Sequence, residues 1–565
     1  MKQLKLMENL MAPMRDGVRL ACNVWRPDDD AAYPAILMRT PYLKEGFACD
    51  YMYGNYRELA LSGYNIVVQD VRGTGKSEGV LLSSGGNEVN DGYDAIEWVA
   101  AQDWCDGNVG MYGLSYFGFT QMAAANDNPP HLRTTCPFQN SALHPLSVTK
   151  SMTLGCYHLR WLYDRVRERM KANNVPEEEQ KRISDQMEAF VADWPAQVMH
   201  LPLREIPAAY IPGVPLLQDF IDLVDGVEDD AYWKEARRPI DLEHVRIPMF
   251  HLTGWFDAAC GGTIDNYTVM HKNGEELTKQ SRLVIGPWGH GGALSAVTDG
   301  VDFGQENSGE GQHVREMMKS WFDRWLKGKT DEDYPLVYYY VMGKNVWRSC
   351  EEWPPAAEYR KLYLHGGEGK NDGSLDANAP GDEAAQRYVY DPDNPQPSGF
   401  QDAQGHTYFA DPAVLEDRED VLVYRSTPFE EETEVTGCVK LVLYASTTAV
   451  DTDFFCRMSD MDENGASRQI LKGIVRAKFR NGRTPELLVP GQVYALEIEL
   501  GNTSYTFRPG HRVRLDISSS SFPEHNRNLN TGERVGVGAH PVKAEQTIYH
   551  DSLHQSHLLL PVYHD

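Results

Sequence analysis

Short apolar segments alternate with amphipathic ones over the first 143 residues of the chain. Apolar runs at 34–38, 64–69 and 109–112 have the length of buried strands, and Asp91–Ala101 has the spacing of a helix. Strands that alternate with helices in this way predict an α/β domain built on a mostly parallel sheet.

The strand pattern stops near residue 144 and returns near residue 241. In between, Tyr157–Ala172 is predicted to be one helix, and a second is indicated by apolar residues on one helical face, namely Ile183, Met187, Phe190, Val191 and Trp194. We therefore predict that residues 144–240 are a helical insertion, and that residues 1–143 and 241–348 together form the α/β domain.

Regularly spaced β-strands are predicted after Trp347. Apolar runs separated by turn pairs such as Pro490-Gly491 and Pro509-Gly510 favour a β-sandwich for residues 349–565. The runs are Val421–Tyr424, Val439–Tyr444, Gln492–Leu500 and His511–Ile517. Residues 365–405, which are rich in Gly, Asn, Asp and Pro, are predicted to be a long irregular connection.

The segment Val109–Gly118 carries the strongest chemical signal in the chain. An apolar strand ends in a glycine, Ser115 follows at a sharp turn, and a helix-forming stretch comes next, which is the nucleophile elbow of an α/β-hydrolase. The usual G-x-S-x-G pattern is incomplete, because Phe117 stands at the second glycine position and Gly118 comes one residue later. On this segment alone, an ordinary serine in a turn remains an open alternative.

Two residues farther along the chain complete a candidate triad. Asp257 follows the apolar run Ile247–Trp255, and His290, 33 positions later, follows the run Arg282–Ile285. The order Ser, Asp, His is that of α/β-hydrolases. A neutral imidazole can take the proton of a serine hydroxyl, and a carboxylate fixes the imidazole tautomer. We therefore predict that Ser115, Asp257 and His290 are catalytic.

Three motifs, Gly113–Gly118, Gly254–Asp257 and Gly286–His290, resemble those of the bacterial cocaine esterase and Xaa-Pro dipeptidyl-peptidase (S15) family. Similar segments spread over nearly the whole chain are Met14–Leu20, Arg39–Tyr42, Gln69–Gly79 and Trp321–Gly328. The resemblance implies an α/β-hydrolase catalytic domain, in which the helical insertion is a cap over the active site. It also implies that the C-terminal β-sandwich is a jelly roll.

Two groups are expected to stabilise the oxyanion that forms when the serine attacks. The backbone N–H of Tyr116, directly after the nucleophile, is one donor by the geometry of the elbow. The second donor in the resembled family is a tyrosine hydroxyl, and Tyr42 matches it. Because Tyr42 follows Pro41, a simple packing role for its ring is the alternative.

The charge of the expected acyl group is indicated by positions at which this sequence differs from the family pattern. In the amino-acid ester hydrolases of this family, carboxylates bind the substrate's ammonium group. Here the residues after Asp257 are Ala258, Ala259, Cys260 and Gly261, and Asn140–Met152 contains no acidic residue. A neutral acyl group is therefore expected, with Trp161, Phe256 and Ala259 as candidate pocket residues.

We interpret the chain as a serine hydrolase that cleaves carboxylic esters, or amides, through an acyl-enzyme on Ser115. An acylase or amidase, including a peptidase acting at proline, is the first alternative. A catalytically inactive member that serves as a binding module is a second alternative from another class.

Net charge and composition limit the kinds of binding partner that are expected. The net charge of −28 repels nucleic acid and anionic membranes, and no apolar run is long enough to span a bilayer. The N-terminus lacks a signal-peptide pattern, so a cytoplasmic location is expected. The nine cysteines form no Cys-x-x-Cys pair, and no His-Glu-x-x-His motif occurs, so neither a metal nor a cofactor is expected. A small ester or amide is the expected partner, and self-association stays open.

Overall fold

The protein, represented by a computed structural model, begins with a large mixed sheet. The structure describes residues 3–46, 56–82, 85–142, 152–154, 157–234, 240–273, 275–291, 295–298, 300–330, 334–367, 369, 372–398, 415 and 418–564. Its first strands are β1 (Leu4–Pro13), β2 (Arg19–Pro27), β3 (Tyr33–Thr40), β4 (Asn65–Asp70), β5 (Cys105–Leu114), β6 (Leu132–Phe138), β7 (Phe250–Phe256), β8 (Arg282–Gly289), β9 (Val297–Thr298), β10 (Val301–Asp302), β11 (Val337–Val341) and β12 (Val346–Cys350).

Within the described ranges, ten of these strands form one sheet in the order β1-β2-β4-β3-β5-β6-β7-β8-β11-β12, and β9 pairs with β10. The pairs from β4 to β11 along this order are parallel, whereas β1–β2, β2–β4 and β11–β12 are antiparallel. The predicted mostly parallel sheet is confirmed. Because parallel strands end at the same edge, residues that follow β3, β5, β6, β7 and β8 are brought together.

Helices cover both faces of this sheet. Before the helical insertion, the helices that pack on the sheet are α1 (Tyr56–Leu61), α2 (Glu88–Ala100) and α3 (Tyr116–Ala125). After the insertion, two more helices complete this α/β part, and their bounds are given below. Neighbouring residues of β5 point to opposite faces: Met111 packs with Ile96 and Met122, and Tyr112 packs with Phe322. This two-sided burial explains why the strands are nearly continuous apolar runs rather than alternating ones.

The insertion after β6 is helical in its described residues. It contains α4 (Tyr157–Ala172), α5 (Glu177–Ala192), α6 (Trp194–Val198), α7 (Gln218–Gly226) and α8 (Asp230–Tyr232), and the chain then forms α9 (Cys260–Lys272) and α10 (Val314–Lys327). The predicted bounds of α4 are confirmed. The second predicted helix stops before Trp194, which starts α6 with a proline in its first turn. The proposed boundary at 143/144 lies outside the described residues.

The helical insertion packs against both neighbouring parts of the protein. Its apolar cluster contains Leu162, Met187 and Phe220 together with Leu81 from the α/β part and Phe522 from the C-terminal part. No helix among the ranges given above combines the length and apolarity needed to cross a membrane.

The C-terminal part consists of β-strands. They are β13 (Glu358–His365), β14 (Gly373–Asp376), β15 (Gln386–Tyr390), β16 (Leu422–Ser426), β17 (Thr433–Thr447), β18 (Asp453–Met461), β19 (Ser467–Arg476), β20 (Tyr494–Phe507), β21 (Arg512–Ser518), β22 (Ala544–Ile548) and β23 (His557–Tyr563). In the part of the chain that is described, eleven strands are joined by hydrogen bonds in the order β15-β22-β17-β23-β13-β14-β16-β21-β18-β19, with β20 on β17. Their inward side chains form one apolar core.

The prediction of an irregular connection over residues 365–405 is wrong for two segments, because β14 and β15 lie within it. β15 buries Gln386, Tyr388 and Tyr390 and exposes Arg387 and Val389. Its buried face is therefore polar and aromatic, and its aliphatic residue points outward, so the apolar pattern gives no strand signal. Residues 399–405 lie outside the described residues.

Candidate active site

Ser115 stands at a strained turn between β5 and α3. Its backbone has φ 60° and ψ −124°, a conformation that residues other than glycine rarely adopt. Its N–H donates to the carbonyl of Phe138 at the end of β6, and its carbonyl accepts from Phe119 N–H in the helix. This strained strand-to-helix turn is the expected elbow, which projects the serine hydroxyl beyond the edge of the sheet.

The displaced second glycine of the elbow has a steric reason. A Cβ at Gly113 would lie 2.5 Å from the Cβ of Phe117, so the buried Phe117 side chain is seated against Gly113. A Cβ at Gly118 would lie 2.8 Å from the carbonyl oxygen of Phe138 and 2.9 Å from the Cβ of Asn140. Gly118 is therefore the position at which α3 approaches the end of β6, and a glycine is required there instead of at 117.

The structure brings the three predicted catalytic residues together. The Oγ of Ser115 lies 2.9 Å from Nε2 of His290, and Nδ1 of His290 lies 2.9 Å from Oδ1 of Asp257. Ser115 follows β5, Asp257 follows β7 and His290 follows β8. The ends of these parallel strands meet at one edge of the sheet. Because an ionised carboxylate only accepts hydrogen bonds, Nδ1 carries the hydrogen and Nε2 is left to accept from the serine hydroxyl.

The carboxylate of Asp257 is fully buried and held from three sides. Its Oδ1 accepts from Ala259 N–H at 2.8 Å as well as from His290, and its Oδ2 accepts from the hydroxyl of Thr253 at 3.3 Å. The His290 side chain is 38% exposed. Burial alone would lower the pKa of His290, but the charge and the hydrogen bond of Asp257 outweigh it and raise that pKa.

Tyr42, Tyr116 and Trp161 form an aromatic group beside the nucleophile. Trp161 Nε1 lies 3.4 Å from the hydroxyl oxygen of Tyr42, and its ring stacks on that of Tyr116 with 6.0 Å between centroids. The Trp161 ring also stacks on that of His158, with 5.6 Å between centroids. Tyr42 and Tyr116, the two residues predicted to supply the oxyanion donors, are thus both in contact with Trp161, a predicted pocket residue.

A buried ion pair anchors Tyr116 from behind. The hydroxyl of Tyr116 donates to Oε1 of Glu88 at 3.1 Å, and Oε2 of Glu88 accepts from the Arg39 guanidinium at 2.6 Å. Burial, the largest influence on Glu88, raises its pKa despite the neighbouring Arg39. Breaking a buried ion pair is costly because it leaves an uncompensated charge. The Arg39–Glu88 pair therefore holds Tyr116, the residue after the nucleophile, next to β3.

The other two predicted pocket residues lie on either side of Asp257. Phe256 is half-buried, with Phe303 at 5.8 Å between ring centroids and the Arg468 guanidinium carbon at 5.7 Å from the ring centre. Ala259 is buried, and its contact with the site is the N–H that holds Asp257. Most of the Asn140–Met152 segment, residues 143–151, lies outside the described residues.

Gln139 is a residue of the site that the sequence interpretation missed. It directly follows β6, is fully buried, and has φ 46°. Its Nε2 donates to the carbonyl of Gly289 at 2.8 Å, and its Oε1 accepts from Gly291 N–H at 2.7 Å. One carboxamide therefore clamps the backbone on both sides of His290. A polar residue at the end of a parallel strand was the available sequence signal.

We expect Gln139→Met to lower kcat by about 10- to 100-fold with little change in KM, because both backbone groups lose their partner and the imidazole is held less closely to Ser115. Steady-state kinetics on one ester substrate measure the effect. Gln139→Glu is the matched variant: as a carboxylate it can still accept from Gly291 but sets a buried negative charge against the Gly289 carbonyl, so a loss at least as large is expected. Equal kcat for all three proteins would contradict this role.

Comparison with known proteins assigns the chain to a family. Residues 16–292 match the sequence profile of the X-Pro dipeptidyl-peptidase (S15) family, and residues 329–559 match that of the X-Pro dipeptidyl-peptidase C-terminal non-catalytic domain. The chain is 34% identical to the cocaine esterase of Rhodococcus sp., and the alignment covers 98% of each protein.

Solved structures show the same fold. An α-amino acid ester hydrolase superposes with a TM-score of 0.81 at 24% identity, over 100% of this chain and 97% of the other. An aminopeptidase from the marine sediment archaeon Thaumarchaeota archaeon gives 0.80 at 24% identity, over 99% and 96%. The protein thus has an α/β-hydrolase-like domain followed by a β-rich non-catalytic domain, and it is a serine hydrolase of the X-Pro dipeptidyl-peptidase (S15) family.

Proposed function

We propose that the protein hydrolyses small carboxylic esters with a neutral acyl group through an acyl-enzyme on Ser115. The observation that carries this proposal is the continuous contact from Ser115 through His290 to Asp257, with both distances at 2.9 Å. These are hydrogen-bond distances between a nucleophile, a base and the group that orients the base.

In the proposed reaction, His290 transfers one proton in each half. Nε2 takes the proton of the Ser115 hydroxyl as Oγ attacks the ester carbonyl, and the imidazolium then gives that proton to the departing alkoxide as the acyl-enzyme forms. In the second half, Nε2 takes a proton from water, hydroxide attacks the acyl carbon, and the proton returns to Oγ as the carboxylic acid leaves. The negative charge of Asp257 stabilises the imidazolium in each half.

Tyr42 and Tyr116 are the proposed donors to the oxyanion. Tyr116 is the first residue of α3, so its N–H is among those that have no acceptor within the helix, and it lies at the positive end of the helix dipole. Tyr42 follows β3, which is the neighbour of β5 in the sheet, and this supports its assignment as the second donor. Each such donor contributes about 2.7–4 kcal/mol in comparable sites.

The neutral acyl group is supported by the side chains next to Asp257. Ala258, Ala259, Cys260 and Gly261 provide no carboxylate for an ammonium group. Burial beside Asp257 holds the pKa of the Cys260 thiol well above its usual range, so this thiol stays uncharged. The esterase name of the relative with 34% identity supports ester cleavage over peptide cleavage.

The domain roles complete the proposal. We infer that residues 144–240 act as a cap, because α4 brings Trp161 onto Tyr42 and Tyr116 while other residues of the insertion pack on the C-terminal part. Residues 349–565 would be the jelly roll, with residues 1–143 and 241–348 as the catalytic domain.

A panel of chromogenic substrates tests the proposed class. We expect p-nitrophenyl acetate and butyrate to be hydrolysed with a far higher kcat/KM than Ala-Pro-p-nitroanilide or the p-nitrophenyl ester of an amino acid with a free ammonium group. Preference for the proline anilide would replace the proposal by a peptidase function. Preference for the ammonium ester would overturn the neutral acyl group while leaving the esterase in place.

A further inference from the structure

A cation lies on the ring of the proposed oxyanion tyrosine. The guanidinium carbon of Arg165 is 4.3 Å from the centre of the Tyr42 ring and 5.1 Å from that of Trp161. Only 7% of the Arg165 side chain is exposed. At these distances, with little water between the groups, a cation–π interaction is at the strong end of its range.

Arg165 is held in place by its own helix. It lies one turn after Trp161 on α4, and Glu168 grips it with two hydrogen bonds of 2.7 Å, from Nε and from Nη2. Both carboxylate oxygens of Glu168 are thereby directed to the guanidinium, which fixes its plane. The cation is therefore positioned on Tyr42 before any substrate arrives.

Trp161 constrains the Tyr42 hydroxyl from a second direction. Because the indole N–H only donates, its 3.4 Å contact occupies a lone pair of the Tyr42 oxygen and leaves the phenolic hydrogen for another acceptor. Trp161 itself stacks on the rings of Tyr116 and His158. The phenol thus receives a hydrogen bond at its oxygen and a positive charge at its ring.

We propose that Arg165 is a positioning residue that makes Tyr42 a stronger and better directed hydrogen-bond donor to the oxyanion. The proposal rests on the function proposed above, in which Tyr42 is one of the two donors. When the phenol donates to a negatively charged oxygen, electron density shifts onto its ring, and the cation on the ring face stabilises that shift. The stabilisation grows with the charge on the acceptor, so it acts in the transition state more than on bound substrate.

The test is a double-mutant cycle between Arg165 and Tyr42, read out as kcat and KM on p-nitrophenyl acetate. We expect Arg165→Gln to lower kcat by about 3- to 30-fold with KM unchanged, which corresponds to the loss of one strong cation–π contact. Tyr42→Phe should lower kcat by about 10²- to 10³-fold. In the Tyr42→Phe background, Arg165→Gln should cause no further loss, because the group through which it acts is already gone.

Two companion variants separate this role from a structural one. Arg165→Lys keeps the charge and should recover part of the activity lost in Arg165→Gln. If the Gln variant does not fold, the Lys variant takes its place in the double-mutant cycle. Arg167→Gln, on the same helix, removes a guanidinium that pairs with Asp164 at the surface, and it should leave kcat unchanged. A trifluoromethyl ketone, which forms a charged tetrahedral adduct on the serine, should bind Arg165→Gln more weakly by the same factor as kcat falls.

The outcomes of the cycle are distinct. Equal losses from Arg165→Gln in both backgrounds, or a change confined to KM, would overturn the role through Tyr42 while leaving the oxyanion proposal intact. Full activity of Tyr42→Phe would remove Tyr42 from the proposed mechanism and this inference with it. Full activity of Arg165→Gln beside an impaired Tyr42→Phe would overturn this inference alone.

Discussion

Ser115→Ala is expected to lower kcat on the order of 10⁶-fold, about as much as removal of the whole triad. Without Oγ there is no attacking atom that His290 can activate, and water reaches the acyl carbon without a covalent intermediate. The variant should fold normally, since alanine fits the space of serine and the elbow is held by backbone contacts with Phe138 and Phe119. The measurement is hydrolysis of p-nitrophenyl acetate at enzyme concentrations high enough to detect the residual rate.

A fluorophosphonate probe provides an independent readout of the same prediction. It should label the wild-type protein at Ser115 and fail to label Ser115→Ala, while Ser552→Ala, which changes an exposed serine bonded to Asp382, should be labelled like wild type. Activity that survives in Ser115→Ala would place the nucleophile elsewhere. Failure to label the wild-type protein, with no ester turnover, would favour the inactive binding module.

The triad residues were predictable because each follows an apolar run long enough to be a strand. Because the strands are parallel, their ends meet at one edge of the sheet. Ser115, Asp257 and His290 therefore lie close together although they are far apart in the sequence. The incomplete glycine pattern did not mislead this inference, because Gly118 serves the same close approach from one position later.

Residues that act through other side chains were not predictable in the same way. Gln139 and Arg165 have no motif, and their importance depends on what lies opposite them: two backbone groups around His290 in one case, the ring of Tyr42 in the other. These pairings arise from tertiary packing between elements that are remote in sequence. Likewise, β15 escaped detection because its inward positions are glutamine and tyrosine, which are not distinguished by an apolar pattern.

Asp257→Ala is expected to lower kcat by about 10⁴-fold, a smaller loss than that from removing Ser115 or His290. The change leaves the Nδ1 hydrogen of His290 and the Ala259 N–H without their acceptor, so the imidazole loses both its tautomer and its orientation. Asp257→Asn should be less damaging. Since Ala259 N–H points at Oδ1, the amide oxygen rather than the NH2 group is favoured there, and the NH2 group can donate to the Thr253 hydroxyl.

The pH profile distinguishes the lost charge from the lost geometry in these variants. His290 must be neutral to act as a base, and Asp257 raises its pKa, so kcat/KM of the wild-type protein should fall as the pH drops through that raised pKa. Without the carboxylate charge the pKa of His290 falls, and the acidic limb should move to lower pH in Asp257→Asn. A limb that stays in place while kcat falls would mean that Asp257 acts only by orienting the ring, and unchanged kcat in Asp257→Ala would exclude it from the mechanism.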